Sequence, residues 1–387
     1  MLRKVLLAVG VMAGIAGCLG CGNIANHYVY ATIPVANQIA AFREDPNSGV
    51  LTQLAGSPYP VGDGAHSIVI HPSGKFLYVA NPGEGANGED DISLFEINTS
   101  NGGLIEAFPR TPLGSTATVP DLLVMDPSGN YLYVMNVGSN NISVFSISPT
   151  GTSCPAVGTT ATNSNPGCLT QVAGSPFNIG VLPLNMQITP SGSFLYVTLA
   201  SGPNCVGQNS GGIAAFSVSS GQLTLVDITC SDGINPFGLA IDPSGSYLYA
   251  ANTSSNSIAI FSIGSTGVLT EVSGSPINDG YSSPIWMTFD PSGSYLYVAN
   301  EGSSNITAFS ITSTGLPAAL TTSTTTNAFG AENDPSFITA DPNGKFLFVG
   351  NQSSNPAIQS FSISNGSLTI LTLYGVGNSP SSIAVLQ

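Results

Sequence analysis

Charge is scarce in this chain of 387 residues, with 7% charged side chains where about 25% is usual. Basic charge is scarcest of all, six Lys+Arg against 21 Asp+Glu. So acidic a chain repels a phosphate backbone, whose neutralisation by Lys and Arg supplies most nucleic-acid affinity, and nucleic acid is therefore excluded as a partner. No segment carries the 3.6-residue apolar period of a long amphipathic helix, and no apolar run approaches the ~20 residues that span a bilayer as a helix. Disorder is excluded as well, because 42% of the residues are hydrophobic and are spread along the whole chain, enough to bury a large core.

What is present begins with a segment set apart from the fold. Arg3 and Lys4 precede the apolar run from Val5 to Ile15, the layout of a secretion signal. Ile15-Ala16-Gly17-Cys18 then resembles a bacterial lipobox, which makes Cys18 the lipidated first residue, with Cys21 a weaker second box. The reading is a signal peptide over residues 1–17, a tether over 18–26 and one domain over 27–387. Loss of Arg3 and Lys4 leaves four bases against 21 acids, a formal charge of −17.

Six related segments follow: HPSGKFLYVAN from His71, DPSGNYLYVMN from Asp126, TPSGSFLYVTL from Thr189, DPSGSYLYAAN from Asp242, DPSGSYLYVAN from Asp290 and DPNGKFLFVGN from Asp341. Gly74 to Gly344 spans 270 residues in five intervals, a mean of 54, which suits a four-stranded propeller blade and is long for a solenoid turn. Each unit reads as a first strand, a tight turn with Pro presetting φ and Gly accepting positive φ, and then an aromatic-rich second strand. A third and a fourth strand follow, as in Ser257 to Ile263 and Leu269 to Val272, and Gly-Ser-Pro closes the unit. The Asp that opens most turns, and His71 in its place, read as turn caps.

His27 to Ala31 is a seventh second strand with no turn before it, and Pro380 to Val385 a first strand with nothing after it. The fold class is thus all-β: a seven-bladed propeller, four antiparallel strands per blade, with the chain ends completing one blade together. Such sharing removes the open edge of the ring.

The LYVAN and LYVMN segments resemble the YVTN repeats of surface propellers, and the register over nearly the whole mature chain resembles the seven-bladed lactonase family, which includes 6-phosphogluconolactonase and muconate-lactonising types. The resemblance implies lactone ring opening or closing. It also implies an Arg and a His after the proline before one first strand, and a Glu at the end of the next strand. Here Pro284 is followed by Ile285 and Trp286, and Glu301 alone matches. Without a fixed positive charge a lactone carbonyl is poorly polarised.

Up-and-down strands sort the loops onto two faces, the turns on one and a channel mouth on the other. The residues starting each first strand, His66, Asp121, Leu184, Phe237, Ile285, Ser336 and Ser381, are expected to ring the mouth, with Trp286 beside them, as a cavity for an amphipathic small molecule. His66, Asp121 and Ser381 have the composition of a triad, but diverging channel strands are expected to hold them beyond hydrogen-bond reach. Glu301 and His66 are the candidate catalytic bases. Eleven acids, Glu89, Asp90 and Asp91 among them, fall in mouth-side loops, which disfavours a phosphorylated ligand. Those three consecutive acids are the one candidate Ca²⁺ site, although their spacing is not that of a calcium loop; no other cofactor is expected. Face assignment pairs Cys154 with Cys168 and Cys205 with Cys230, since other pairings would cross the blade height, and oxidation follows export. The functional expectation is a monomeric, lipid-anchored envelope protein, touching the membrane through its anchor only, that binds a small molecule or an envelope partner at an acidic mouth. Hydrolysis of an unphosphorylated lactone is the second reading, and a cell-surface scaffold the third.

Overall fold

The computed structural model describes residues 27–83, 90–148, 154–155, 162–163, 166–202, 205, 210–278, 280–320, 328–352 and 357–386. They form seven blades of antiparallel strands, each ordered from the innermost strand outward, and one two-stranded sheet, Cys154–Pro155 with Thr162–Asn163. Blade 1 runs Ser382–Leu386, His27–Ile33, Gln38–Glu44 and Leu51–Gln53, so its innermost strand comes from the C-terminus and pairs Tyr28 with Leu386 through to Thr32 with Ser382. Blades 2 to 7 follow in chain order over 68–112, 120–178, 183–234, 236–271, 284–330 and 335–375. The innermost strands touch in an unbroken circuit, Ser382–Leu386 meeting blade 7 on one side and blade 2 on the other. The ring is closed as the sequence requires.

The repeat residues account for this packing one by one. At the turn face Asp126 Oδ1 accepts Tyr131 N–H at 2.6 Å while Gly129 takes φ +74; Asp242, Asp290 and Asp341 cap their turns in the same way. His71 uses Nδ1 to accept Ser73 N–H, and its Nε2 lies 2.9 Å from Gly129 O in the next blade. The capping role expected of all five residues is thus observed. In each second strand the aromatic after Leu, or after Val29 in blade 1, is buried. Tyr30, Tyr78, Tyr196 and Tyr249 each donate their hydroxyl to a glycine carbonyl of the following blade, Gly102, Gly167, Gly267 and Gly315, at 2.6–2.9 Å. Such bonds tie blade to blade around the circumference. Gly102 (φ +72) admits no side chain, because a Cβ there would meet the Tyr28 ring at 2.3 Å.

The mouth-side ends of the second strands carry buried asparagines. Asn81, Asn136 and Asn300 donate to Ser93, Ser143 and Thr307 on the third strand of the same blade, which holds the strand ends together where the channel opens. Cys205 and Cys230 form a disulfide with Cα atoms 5.5 Å apart, as expected. Cys168 is also disulfide-bonded; the side chain of its expected partner, Cys154, lies outside the described residues, as do the signal segment, Cys18 and Glu89.

Candidate functional site

In blades 3 to 7 the innermost strand opens on a proline followed by a bulge. Pro120, Pro183, Pro236, Pro284 and Pro335 pair with the second strand, and the next paired residues are Leu122, Asn185, Gly238, Trp286 and Phe337. The residue between, Asp121, Leu184, Phe237, Ile285 or Ser336, has no cross-strand partner. A bulge of this kind bends the strand and re-aims side chains. The channel mouth therefore receives two tiers of side chains rather than the single ring expected from the sequence.

The cavity at the mouth draws His66, Asp121, Leu184, Phe237 and Ser381 from the outer tier and Trp286 and Phe337 from the inner one. Ile285 and Ser336 do not line it, which corrects the sequence expectation. In those two blades the inner-tier rings of Trp286 and Phe337 lie 4.6 Å apart and occupy that sector. Ile285 packs instead against the core between blades 6 and 7, and the Ser336 hydroxyl donates to Gly350 O at 3.3 Å. Phe337 was missed in the sequence, although Pro-Xaa-aromatic in both Pro284-Ile285-Trp286 and Pro335-Ser336-Phe337 was a visible signal. The free volume is about 40 Å³, room for a water molecule or two but not for a sugar ring.

The second correction concerns His66 and Asp121, which do meet. His66 Nδ1 lies 3.1 Å from Asp121 Oδ1 and 3.0 Å from the Asp121 main-chain carbonyl. The bulge is the cause, since it frees Asp121 from its own ladder and lets it lean toward blade 2. With Nδ1–H donated to the Asp121 main-chain carbonyl, Nε2 is left as the basic nitrogen. The two side chains are 42% and 30% exposed, so water and ligand can reach them. Burial pushes the Asp121 carboxyl above its usual value, and His66 pulls it back in part.

Ser381 does not complete a triad. Its hydroxyl donates to the His66 carbonyl at 2.5 Å and lies 2.9 Å from Thr32 Oγ1, which itself donates to the same carbonyl at 2.8 Å. These bonds fasten blades 1 and 2 at the rim and hold the backbone of His66 still. Glu301 is outside the cavity lining. It sits in the turn after Asn300, its N–H donating to Ser283 O at 2.9 Å, and burial first, Asp334 second, raise its carboxyl.

The surrounding rim is acidic. Arg110 donates to Glu106 Oε1 at 2.6 Å and lies against the Phe108 ring. Asp90 accepts Val119 N–H and Asp91 accepts the Asn81 amide, so each spends a carboxylate oxygen within the fold. Among the described residues no Lys or Arg lines the cavity.

Comparison with known proteins gives the architecture its family. The model of the family described as "Lactonase, 7-bladed beta-propeller" matches residues 23–171, 183–282 and 277–385. The chain belongs to this lactonase family. A 6-phosphogluconolactonase of Formosa agariphila is 44% identical over 78 residues, 20% of each chain; the match thus spans a fifth of that relative. Among solved structures, a protein of Bacteroides fragilis titled a putative 6-phosphogluconolactonase superposes with TM-score 0.71 at 17% identity, covering 95% of this chain and all of that one. The periplasmic gluconolactonase of Pseudomonas aeruginosa gives 0.70 at 15%, covering 94% and 99%. At these identities the superpositions establish the fold. In this chain the mouth sets an apolar, aromatic wall against one His–Asp pair.

Proposed function

We propose that the protein hydrolyses an unphosphorylated lactone at the channel mouth, with His66 as general base. The observation that carries this reading is the His66–Asp121 contact at 3.1 Å. The Asp121 main-chain carbonyl, which accepts Nδ1–H at 3.0 Å, fixes the imidazole tautomer, and the carboxylate beside it steadies the imidazolium that forms when Nε2 takes a proton from water. The hydroxide equivalent adds to the lactone carbonyl carbon. The oxyanion then accepts a hydrogen bond from a donor such as the Trp286 indole N–H, which belongs to the same cavity. Collapse breaks the ring C–O bond, and His66 returns the proton to the leaving alkoxide, giving a hydroxy-carboxylate. The small cavity suits the attacking water, and the lactone ring rests over the Phe237 and Trp286 rim. The acidic rim disfavours a phosphorylated substrate.

Export with a lipid anchor at Cys18 belongs to the same reading. It is supported by the N-terminal pattern and by the Cys205–Cys230 disulfide, which suits an oxidising compartment. A second reading, binding without turnover, is favoured by the absence of a cationic group from the described cavity lining. Proton release from glucono-δ-lactone and from its 6-phosphate, measured in a pH-stat, separates the two. Turnover of the first, lowered about 10²- to 10⁴-fold by His66→Gln and by Asp121→Asn but little by Glu301→Gln, is the expected result. Loss with Glu301→Gln alone overturns the assignment of the base, and no turnover of any lactone leaves the binding reading.

A further inference from the structure

On the turn face, at the junction of blades 7 and 1, three side chains depart together from the repeat. His27 stands where blades 2 to 7 have Lys75, Asn130, Ser193, Ser246, Ser294 and Lys345, one residue before the aromatic that Tyr28 supplies in blade 1. Its cross-strand partner Glu44 stands where the third strands of blades 2 to 7 carry the apolar Ile97, Ile147, Val218, Ile263, Ile311 and Ile363. In the turns of blades 3, 5 and 6 the second Asp oxygen accepts the hydroxyl of Ser128, Ser244 or Ser292. Blade 7 has Asn343 in that place, and Asp341 Oδ2 is left buried without a partner.

These departures converge. His27, Glu44 and Asp341 are 6%, 0% and 0% exposed, and one ligand atom of each lies within 4.8 Å of the others. His27 Nδ1 and Glu44 Oε2, at 3.9 Å, are too far apart for a hydrogen bond. His27 Nδ1, both Glu44 oxygens and Asp341 Oδ2 have no hydrogen-bond partner. Four such atoms buried side by side are rare, because desolvated carboxylates are strongly disfavoured unless paired or metal-bound.

We propose that His27, Glu44 and Asp341 bind a divalent transition-metal ion, Zn²⁺ being the first choice, which fastens the start of blade 1 to the turn of blade 7. Two carboxylates balance the charge of the ion, and an imidazole beside them selects a borderline ion over Ca²⁺, which takes six to eight oxygens. Ligand atoms about 2.1 Å from a tetrahedral Zn²⁺ stand about 3.4 Å apart, so Glu44 and Asp341 close inward by small side-chain rotations, and water takes the fourth position. Asp341 Oδ1 stays bonded to Lys345 N–H and Phe346 N–H, which holds the carboxylate in place. The other charged groups acting on the cluster are Asp45 and Lys345. The Lys345 ammonium is drawn toward Pro46 O, 3.4 Å away.

The test uses the tag-free full chain, stripped with EDTA and titrated with Zn²⁺, Co²⁺, Mg²⁺ and Ca²⁺ by calorimetry and thermal unfolding. One Zn²⁺ per chain with a raised unfolding temperature is expected, with visible absorption from Co²⁺ in the same site and no comparable response to Mg²⁺ or Ca²⁺. The pair His27→Ser and Glu44→Ile restores residues of the other blades and so preserves folding. It is expected to lower Zn²⁺ affinity more than about 100-fold and to be more stable than the stripped parent. Absence of Zn²⁺ binding to the parent, or equal binding to the pair variant, overturns the proposal. So does a stoichiometric response to Ca²⁺ alone.

Discussion

Tyr78 and Tyr133 stand at the same point of successive blades, both fully buried, yet their hydroxyls differ. Tyr78 donates to Gly167 O at 2.6 Å, whereas the Tyr133 and Tyr297 hydroxyls have no partner. The blades they face explain the difference. Blades 4 and 7 join their outer strands by two-residue turns, Ser220-Gly221 and Asn365-Gly366, while blades 2, 5 and 6 use longer turns whose glycine carbonyl reaches inward. A hydroxyl that serves a buried carbonyl and one that serves nothing respond oppositely to removal. Tyr78→Phe is therefore expected to destabilise by about 1–2 kcal/mol and Tyr133→Phe to be neutral or slightly stabilising, measured by urea unfolding at fixed m-value. Equal losses for both would show that the ring packing, rather than the hydroxyl, differs between the blades.

The turns are the elements on which the architecture was legible. Asp-Pro-Ser-Gly specifies its conformation through local bonds, Asp126 to Tyr131 N–H and Gly129 to Asp126 O, and local chemistry can be read from a linear string. The disulfide between Cys205 and Cys230 was legible for a related reason, since strand direction alone assigns both to the mouth. The bulges were not. Whether the residue after Pro284 or the next one faces the channel is decided by a one-residue slip in pairing with Asn300 and Ala299, and such a slip moves every following side chain across the sheet. Hence Phe337 was missed, Ser336 and Ile285 were placed wrongly, and the His66–Asp121 contact was not foreseen. An element-scale prediction follows from the capping geometry. Asp242 Oδ1 accepts Ser246 and Tyr247 N–H at 2.8 and 2.6 Å, so Asp242→Ala is expected to cost about 1–2 kcal/mol without altering ligand binding at the opposite face. A loss of mouth activity at unchanged fold would refute the separation of the two faces.

At the scale of the whole molecule, ring closure and acidity act on the same balance. The circuit of innermost strands is completed by five residues, Ser382–Leu386, so each blade borrows stability from two neighbours. A formal charge of −15 works against that compactness through self-repulsion. Two half-buried carboxyls add to it in the same direction. Asp121 and Glu301 are raised by burial, opposed for Asp121 by His66 and reinforced for Glu301 by Asp334. A carboxyl raised in the folded state holds its proton there at a pH where the unfolded chain has released it, so the folded state is favoured at low pH. That advantage is lost as pH rises from the ordinary carboxyl value through the raised one. Asp45, lowered by the Ser48 and Asn47 N–H groups, runs the other way but is fully exposed. The unfolding temperature of the EDTA-treated protein is accordingly expected to fall as pH rises above the ordinary carboxyl range. Added salt should flatten the part due to self-repulsion, which is screened, and leave the part due to the half-buried carboxyls. Asp121→Asn and Glu301→Gln should each lessen that residual slope. An unfolding temperature that instead climbs through this range would mean that paired, lowered carboxylates dominate the stability of the ring.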